Sequence, residues 1–187
     1  MNIGFAMCGS LCTFDAVFSA METVAEKYNL IPILSQPSQT IDSRFGTGEA
    51  HIRKVAEICG HPPLCTIEDV EPIGPKKLLD ALVIAPCTGN TLAKLAHSIA
   101  DGPVTMAAKS HLRNGRPILI AISTNDGLAG AAENIGKLLG RKNYFFVPFG
   151  QDDPFGKPTS LVADFSKILP ALDLTLEGKQ MQPMLKS

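Results

Sequence analysis

The stretch Leu82-Val83-Ile84-Ala85-Pro86-Cys87-Thr88-Gly89-Asn90-Thr91 constrains the fold most. Its first four residues are a short, branched, apolar run, as a strand buried on both faces requires. Pro86 cannot donate to a ladder and ends the strand. Thr88 to Thr91 are small and polar, suited to a turn and a helix N-cap. Leu92 to Ala96 then supply helix formers with apolar residues at helical spacing. Strand, polar turn and helix in this order point free backbone N–H groups and hydroxyls at an anion, at the carboxyl end of a parallel strand.

The same pattern recurs along the chain. Asn2–Met7 reads as a first strand and Cys8-Gly9-Ser10-Leu11-Cys12-Thr13 as a small-residue turn. Phe14, Val17, Phe18, Met21 and Val24 follow at helical spacing. Leu30–Leu34 reads as a second strand, with Pro32 implying its beginning or a bulge. Gln36 to Gly48 is expected to be a polar connection, Gly48–Cys59 a helix, and residues 64–78 an irregular segment. After the central stretch come a helix at Pro103–Leu112, a strand at Pro117–Ile122, a helix at Leu128–Leu139 and a strand at Tyr144–Pro148. Thr159 is expected to cap a last helix, Ser160–Leu172, with a polar tail from about 173. The expectation is a single domain over residues 1–187: a three-layer α/β/α, Rossmann-like, doubly wound parallel sheet of five or six strands.

Composition removes several functions. The formal net charge is −1 and no basic block occurs, which argues against nucleic acid as a partner. No apolar run is long enough to span a membrane, and the N-terminus opens on a strand pattern with no signal sequence, so a cytoplasmic location is expected. Five cysteines cannot all pair, and their spacings repeat no zinc pattern, so no metal site is expected. A G-x-G-x-x-G turn is absent, leaving no evident NAD(P) site.

Pro86-Cys87-Thr88-Gly89-Asn90-Thr91-Leu92-Ala93-Lys94-Leu95-Ala96, followed by Asp101, resembles the P-A-S-x-N-T-x-x-K-x-A…D motif of the flavin-containing cysteine decarboxylase superfamily. Pro86, Asn90, Thr91, Lys94 and Asp101 match, while Cys87, Thr88 and Gly89 vary the pattern with small residues. The Gly9-Ser10 turn, Ser35 after the second strand, and the asparagines Asn125 and Asn134 extend the resemblance over residues 2–150. At the last of these sites Ile122-Ser123-Thr124 replaces the family's Pro-Ala-Met. The resemblance implies a flavoprotein-like fold and an FMN site built from Gly9, Ser10, Ser35, Pro86, Cys87, Thr88, Asn90, Thr91, Ser123 and Asn125. It also implies a homo-oligomer whose flavin site a neighbour completes, with Phe45 or Phe149 as the stacking aromatic.

The family's decarboxylases place a histidine ahead of the motif proline; the corresponding position here is Pro72. His51 and His61 lie too far upstream, and His97 and His111 fall in expected helices. Cys87, at a helix N-terminus, is either a lowered-pKa thiol or simply a small residue. The loop QTIDSRFG, the segment VPFGQDDPFGKPTSLVADF and the tail GKQMQPML resemble a branch of the family that works with a separate NAD(P)-binding protein to oxidise a small dicarboxylate. Carboxylates need cationic partners, for which Arg44, Lys109, Arg113 and Lys157 are candidates. Asn125 and Arg44 are the candidate catalytic residues. An FMN-dependent decarboxylase of another substrate and a non-catalytic assembly protein are the alternatives.

Overall fold

β1 (Asn2–Met7) lies between β2 (Asn29–Leu34) and β3 (Ala81–Cys87), and all three run parallel. The computed structural model describes residues 1–186. β3 pairs in turn with β4 (Ile118–Thr124), and the lower part of β4 pairs with β5 (Tyr144–Phe146), again in parallel. These strands are apolar through their length because helices cover both faces, so no alternation appears in the sequence.

The expected Rossmann-like α/β architecture is present, but its sheet is mixed where a wholly parallel one was expected. Beyond β5, Phe149–Gly150 forms β6 and Leu161–Ala163 forms β7. β7 pairs antiparallel with Ser123 and Thr124 at the top of β4, and β6 pairs antiparallel with β7 on its far side. The result is a mixed sheet of seven strands, ordered β2-β1-β3-β4-β7-β6 with β5 beside β4. The helix expected at Ser160–Leu172 therefore starts later. Asp164 accepts from the Ser166 N–H at 3.2 Å and caps a 3-10 turn over Phe165–Lys167, from which the last helix continues over Ile168–Leu176.

α1 (Phe14–Ala25) buries Phe14, Val17, Phe18, Met21 and Val24 as their spacing requires. The segment expected to be a polar connection begins with a short helix, α2 (Gln36–Thr40), which has proline in its first turn. α3 (Gly48–Cys59) follows and packs on α1. Residues 64–78 hold a second short helix, α4 (Ile67–Val70), with a full capping box between Thr66 and Asp69. α5 (Gly89–Ala96) neighbours α6 (Pro103–Leu112), on which α4 packs, and α7 (Ala132–Leu139) packs on α5. α7 begins four residues later than expected because residues 125–131 form turns. The last helix, α8 (Ile168–Leu176), packs on α1. Among the described residues no helix is long and apolar enough to cross a membrane.

Pro32 stands mid-strand in β2, neither at its beginning nor at a bulge. β2 is the sheet's outer strand, and the Leu34 N–H donates outward to the Leu64 carbonyl at 3.0 Å. Pro32 has the same orientation, so its missing N–H costs no bond to β1. The expected tail from about 173 starts inside α8, and its last part is integrated with the sheet. The Gln180 side chain accepts from the Phe146 N–H at 2.8 Å and donates to the Phe146 carbonyl at 2.7 Å. The Phe149 N–H donates to the Met184 carbonyl at 3.0 Å, and the Lys186 N–H donates to the Phe149 carbonyl at 2.9 Å.

His111 gives the fold a pH dependence. It is 1 % exposed on α6, and its Nε2 lies 3.0 Å from the Pro117 carbonyl. Burial pushes it down to about 4, with the Arg116 charge acting in the same direction. The folded state holds it neutral, so its contribution is complete above the unfolded value near 6.5 and falls as pH drops toward 4. Between pH 7 and 5 the chain should lose about 2 kcal/mol of stability through this group. Urea titrations at the two pH values should show that loss in the wild type and a clearly smaller one in His111→Gln, whose amide can still donate to Pro117.

Candidate functional site

The carboxyl ends of β2, β1, β3 and β4 stand side by side, and their following loops converge. The chain leaves β1 toward one neighbour and reaches β3 on the other side, the topological switch at which open α/β sheets form ligand crevices. The Cys8 N–H donates to the Pro86 carbonyl at 3.2 Å and ties the first loop to the third. Two adjoining clefts open there, of about 460 and 480 Å³, each within the range of small-molecule sites.

Gly9 and Thr88 line both clefts. Ser35, Asn90 and Thr91 line the first; Ser10, Ser123 and Asn125 line the second. Eight of the ten residues expected from sequence are thus brought to one edge of the sheet. Pro86 and Cys87 line neither cleft; both are buried at the end of β3.

The hydroxyls organise the loops. Ser10 Oγ and Ser123 Oγ are 2.8 Å apart and join the loop after β1 to the end of β4. Thr88 Oγ1 accepts from the Thr91 N–H at 3.4 Å and caps α5. Ser35 Oγ meets Ser38 Oγ at 2.9 Å, and Ser38 donates to the Met7 carbonyl at 3.2 Å. The side-chain amides of Asn90 and Asn125 are exposed and have no hydrogen-bond partner among the described residues. A ligand is therefore free to take both their donors and their acceptors. Gly9 leaves the junction of the clefts open: a Cβ there would stand 2.9 Å from Pro37 Cβ.

The lysines at the clefts are paired, while Glu68 in the first cleft is in no ion pair among the described residues. Lys94 Nζ, on α5, lies 2.9 Å from Asp101, whose carboxyl is held below its ordinary value by that hydrogen bond. In the second cleft Lys157 Nζ lies 3.4 Å from Asp152. Burial argues against cysteine chemistry at Cys8 and Cys87, whereas Cys12 is exposed and lines the second cleft. Cys8 accepts a hydrogen bond from Thr91 Oγ1 at 3.2 Å, and desolvation pushes its thiol up to about 11. Desolvation pushes Cys87 well above its ordinary value, and neighbouring Cys8 adds to the rise. Cys87 is the small packing residue, not the activated thiol.

The other candidates divide. Phe45, 41 % exposed, lines the second cleft, and the Arg44 guanidinium stands 4.7 Å from its ring centroid. Lys109 and Arg113 lie on a different groove, so they are withdrawn as carboxylate ligands for these clefts. Phe149 is also withdrawn as an exposed stacking aromatic: it is 4 % exposed and packs 6.2 Å from Phe146. Asn134 lies on α7 and lines neither cleft. Among the described residues no histidine lines either cleft, and Pro72, in a 3-10 turn, lines neither. His97 is on the surface, its Nδ1 2.9 Å from the Ala93 carbonyl and its Nε2 3.3 Å from Lys137 Nζ, and His111 is a satisfied core residue.

Sequence reasoning missed the Thr124–Asp126 pair. Thr124 Oγ1 donates to Asp126 Oδ1, and a Cβ on Gly89 would meet both oxygens at 2.7 Å. Any larger residue at the first position of α5 would have to displace this side-chain pair. The signal was the small residue in the motif, whose reason lies in the tertiary fold.

The profile of the family described as Flavoprotein matches residues 2–148. The B subunit of dipicolinate synthase from Bacillus subtilis (strain 168) is 43% identical over 185 residues, covering 98% of this chain and 92% of that protein. The crystal structure of the corresponding dipicolinate synthase B subunit from Bacillus halodurans superposes with a TM-score of 0.91 at 41% identity, covering 100% of this chain and 96% of that one. The FMN-dependent cysteine decarboxylase SpaF shares the fold, with a TM-score of 0.70 at 21% identity and 95% of each chain covered.

Proposed function

The chain belongs to the Flavoprotein family, and on that premise we propose that it binds FMN and serves as the B subunit of dipicolinate synthase. In this reading it acts beside the NAD(P)-binding A subunit of dipicolinate synthase and oxidises dihydrodipicolinate to dipicolinate, pyridine-2,6-dicarboxylate, during sporulation. One observation carries the cofactor part. Two clefts share an open glycine junction and present unengaged asparagine amides at the switch point of the sheet. That polar, hydroxyl-lined shape fits a flat ring system with a phosphate tail.

FMN, when bound, supplies two-electron redox chemistry. The chain's own residues do the rest. Asn90 and Thr91 hold one part of the ligand at the start of α5, and Ser10, Ser123 and Asn125 hold the other. Arg44 lines neither cleft itself but stacks on Phe45, which lines the second, and from there it receives a substrate carboxylate in a bidentate fork. Lys157 stands in the same cleft with Asp152 as its counter-charge. Among the described residues no histidine lines either cleft, which favours this reading over cysteine-type decarboxylation. The protein works as a homo-oligomer in the cytoplasm. Phe45 is its own candidate aromatic for the ligand ring.

A two-component assay tests the reading. Chain, NAD(P)-binding partner, FMN and NAD(P) together should form dipicolinate, and the chain with FMN alone should not. Arg44→Lys should raise the apparent substrate KM about 10-fold, the lower end of what a charged hydrogen bond contributes, with FMN affinity unchanged. Dipicolinate made by the chain without a partner or NAD(P) would refute the division of labour. Carbon dioxide release in place of oxidation would select the decarboxylase alternative.

A further inference from the structure

A groove of about 460 Å³ lies across the 98–105 loop from the first cleft, and Thr105 lines both. Its floor is apolar, made by Leu95, Ile99 and Leu112 with the largely buried ring of Tyr144. Four cations stand on its walls. Lys109 and Arg113 come from α6 and its C-cap, and Arg141 and Lys142 from the loop after α7. Among the described residues no acidic side chain lines it. The two clefts differ, since Lys94 and Lys157 each have a carboxylate partner there.

Among the described residues, none of the four cations is in an ion pair. Lys109 and Arg113 are four apart, so they share a side of the helix, where like charges repel. The dipole of α6 favours a cation in its last turn, but it does not account for a second pair on the opposing loop. Arg141 is anchored: it donates to the Leu95 carbonyl at 3.0 Å and the Ala96 carbonyl at 2.6 Å. In a chain of net charge −1, four cations with no acidic partner around one concavity, Arg141 held by the α5 carbonyls and the other three without an ion pair, concentrate positive potential there.

We propose that this groove binds a small organic anion with a flat apolar body and at least two negative charges. The apolar floor takes the body. The two opposed pairs take charged groups at either end. A bare inorganic ion would leave the floor unused, and a neutral hydrophobe would leave four cations unpaired. The ligand is a dicarboxylate or a nucleotide, and the two share this chemistry. The inference stands independently of the flavin reading.

Calorimetry with three probes tests it: pyridine-2,6-dicarboxylate, AMP, and benzoate as the single-charge control. One or both dianions should bind at least about 10-fold more tightly than benzoate, and more weakly as salt rises. Binding of the dicarboxylate assigns a carboxylate ligand, and binding of AMP alone assigns a phosphate ligand. The double variant Arg113→Gln/Lys142→Gln changes exposed residues only. It should weaken the dianion by about 10-fold or more while FMN affinity stays unchanged. Equal binding of benzoate, no binding of either dianion, or unaltered binding in the double variant would overturn the proposal. Loss of the dianion in Gly9→Val with retention in the double variant would move the ligand to the clefts and overturn it too.

Discussion

Gly9→Val is expected to leave a folded chain whose FMN affinity has fallen at least about 100-fold, some 2.7 kcal/mol. Gly9 is, with Thr88, one of the two residues that line both clefts. Any Cβ there would stand 2.9 Å from the Cβ of Pro37, which is part of a closed ring and cannot swing aside. Relief must come from moving the start of α2 away from the end of β1. That shifts Ser35 and Pro37 off the first cleft, and the valine methyl groups fill the junction. The core beneath, with Phe5 and Met7 fully buried, is untouched by the change. Equilibrium dialysis with FMN, beside circular dichroism and urea unfolding, separates loss of binding from loss of fold. Wild-type affinity in a folded Gly9→Val protein would place the ligand away from this junction.

Gly48→Ala should be the most damaging of the small substitutions, costing about 3 kcal/mol, or roughly 6–12 °C in Tm. Gly48 opens α3, and its Thr47 N-cap accepts from the Ala50 N–H at 3.1 Å. A Cβ on Gly48 would overlap the Gln39 carbonyl and come within 2.9 Å of the Thr40 nitrogen. Both are backbone atoms of α2, so no rotamer change removes the clash. α2 and α3 would have to separate. The intervening loop, pinned by Asp42 Oδ1 accepting from the Gly48 N–H at 3.1 Å, would move with them. Phe45, whose carbonyl lies 3.2 Å from His51 Nε2, belongs to that loop. Gly136→Ala is the control: nothing lies within 4 Å of its Cβ position in α7, and helix propensity favours alanine by up to about 1 kcal/mol. Urea midpoints for the two variants should move in opposite directions.

Much of this was legible in the chain. β1, β3 and β4 are continuous apolar runs, and the periodicities of α1 and α3 are long enough to read. The loops after those strands could be named because a parallel strand's carboxyl end is where small polar residues collect. What escaped reading was short or tertiary. Leu161-Val162-Ala163 has no period to detect, and it is a strand because Ser123 and Thr124 offer it an open edge. α2 is one turn long and carries a proline, which fits a helix start as well as a loop. Phe149 reads as an aromatic in a turn-rich loop, yet β7 on one side and the tail on the other cover it. Lys109 and Arg113 fitted a substrate site by charge alone; only the packing of α6 showed them lining a different groove. Pro86 and Cys87 belong to the motif, but the last residues of β3 remain inside the sheet, and exposure begins at Thr88.

The proposed FMN site is put to its sharpest test by calorimetric titration of the purified, folded chain with FMN, run on the wild type, Asn90→Leu and Asn134→Leu. The wild type should bind one FMN per chain. Asn90→Leu removes a free amide at the cleft and should lose about 10-fold or more in affinity. Asn134→Leu should bind as the wild type does, because that asparagine lies outside both clefts. No heat of binding from the folded wild-type chain, or equal affinity in Asn90→Leu and the wild type, would contradict the site.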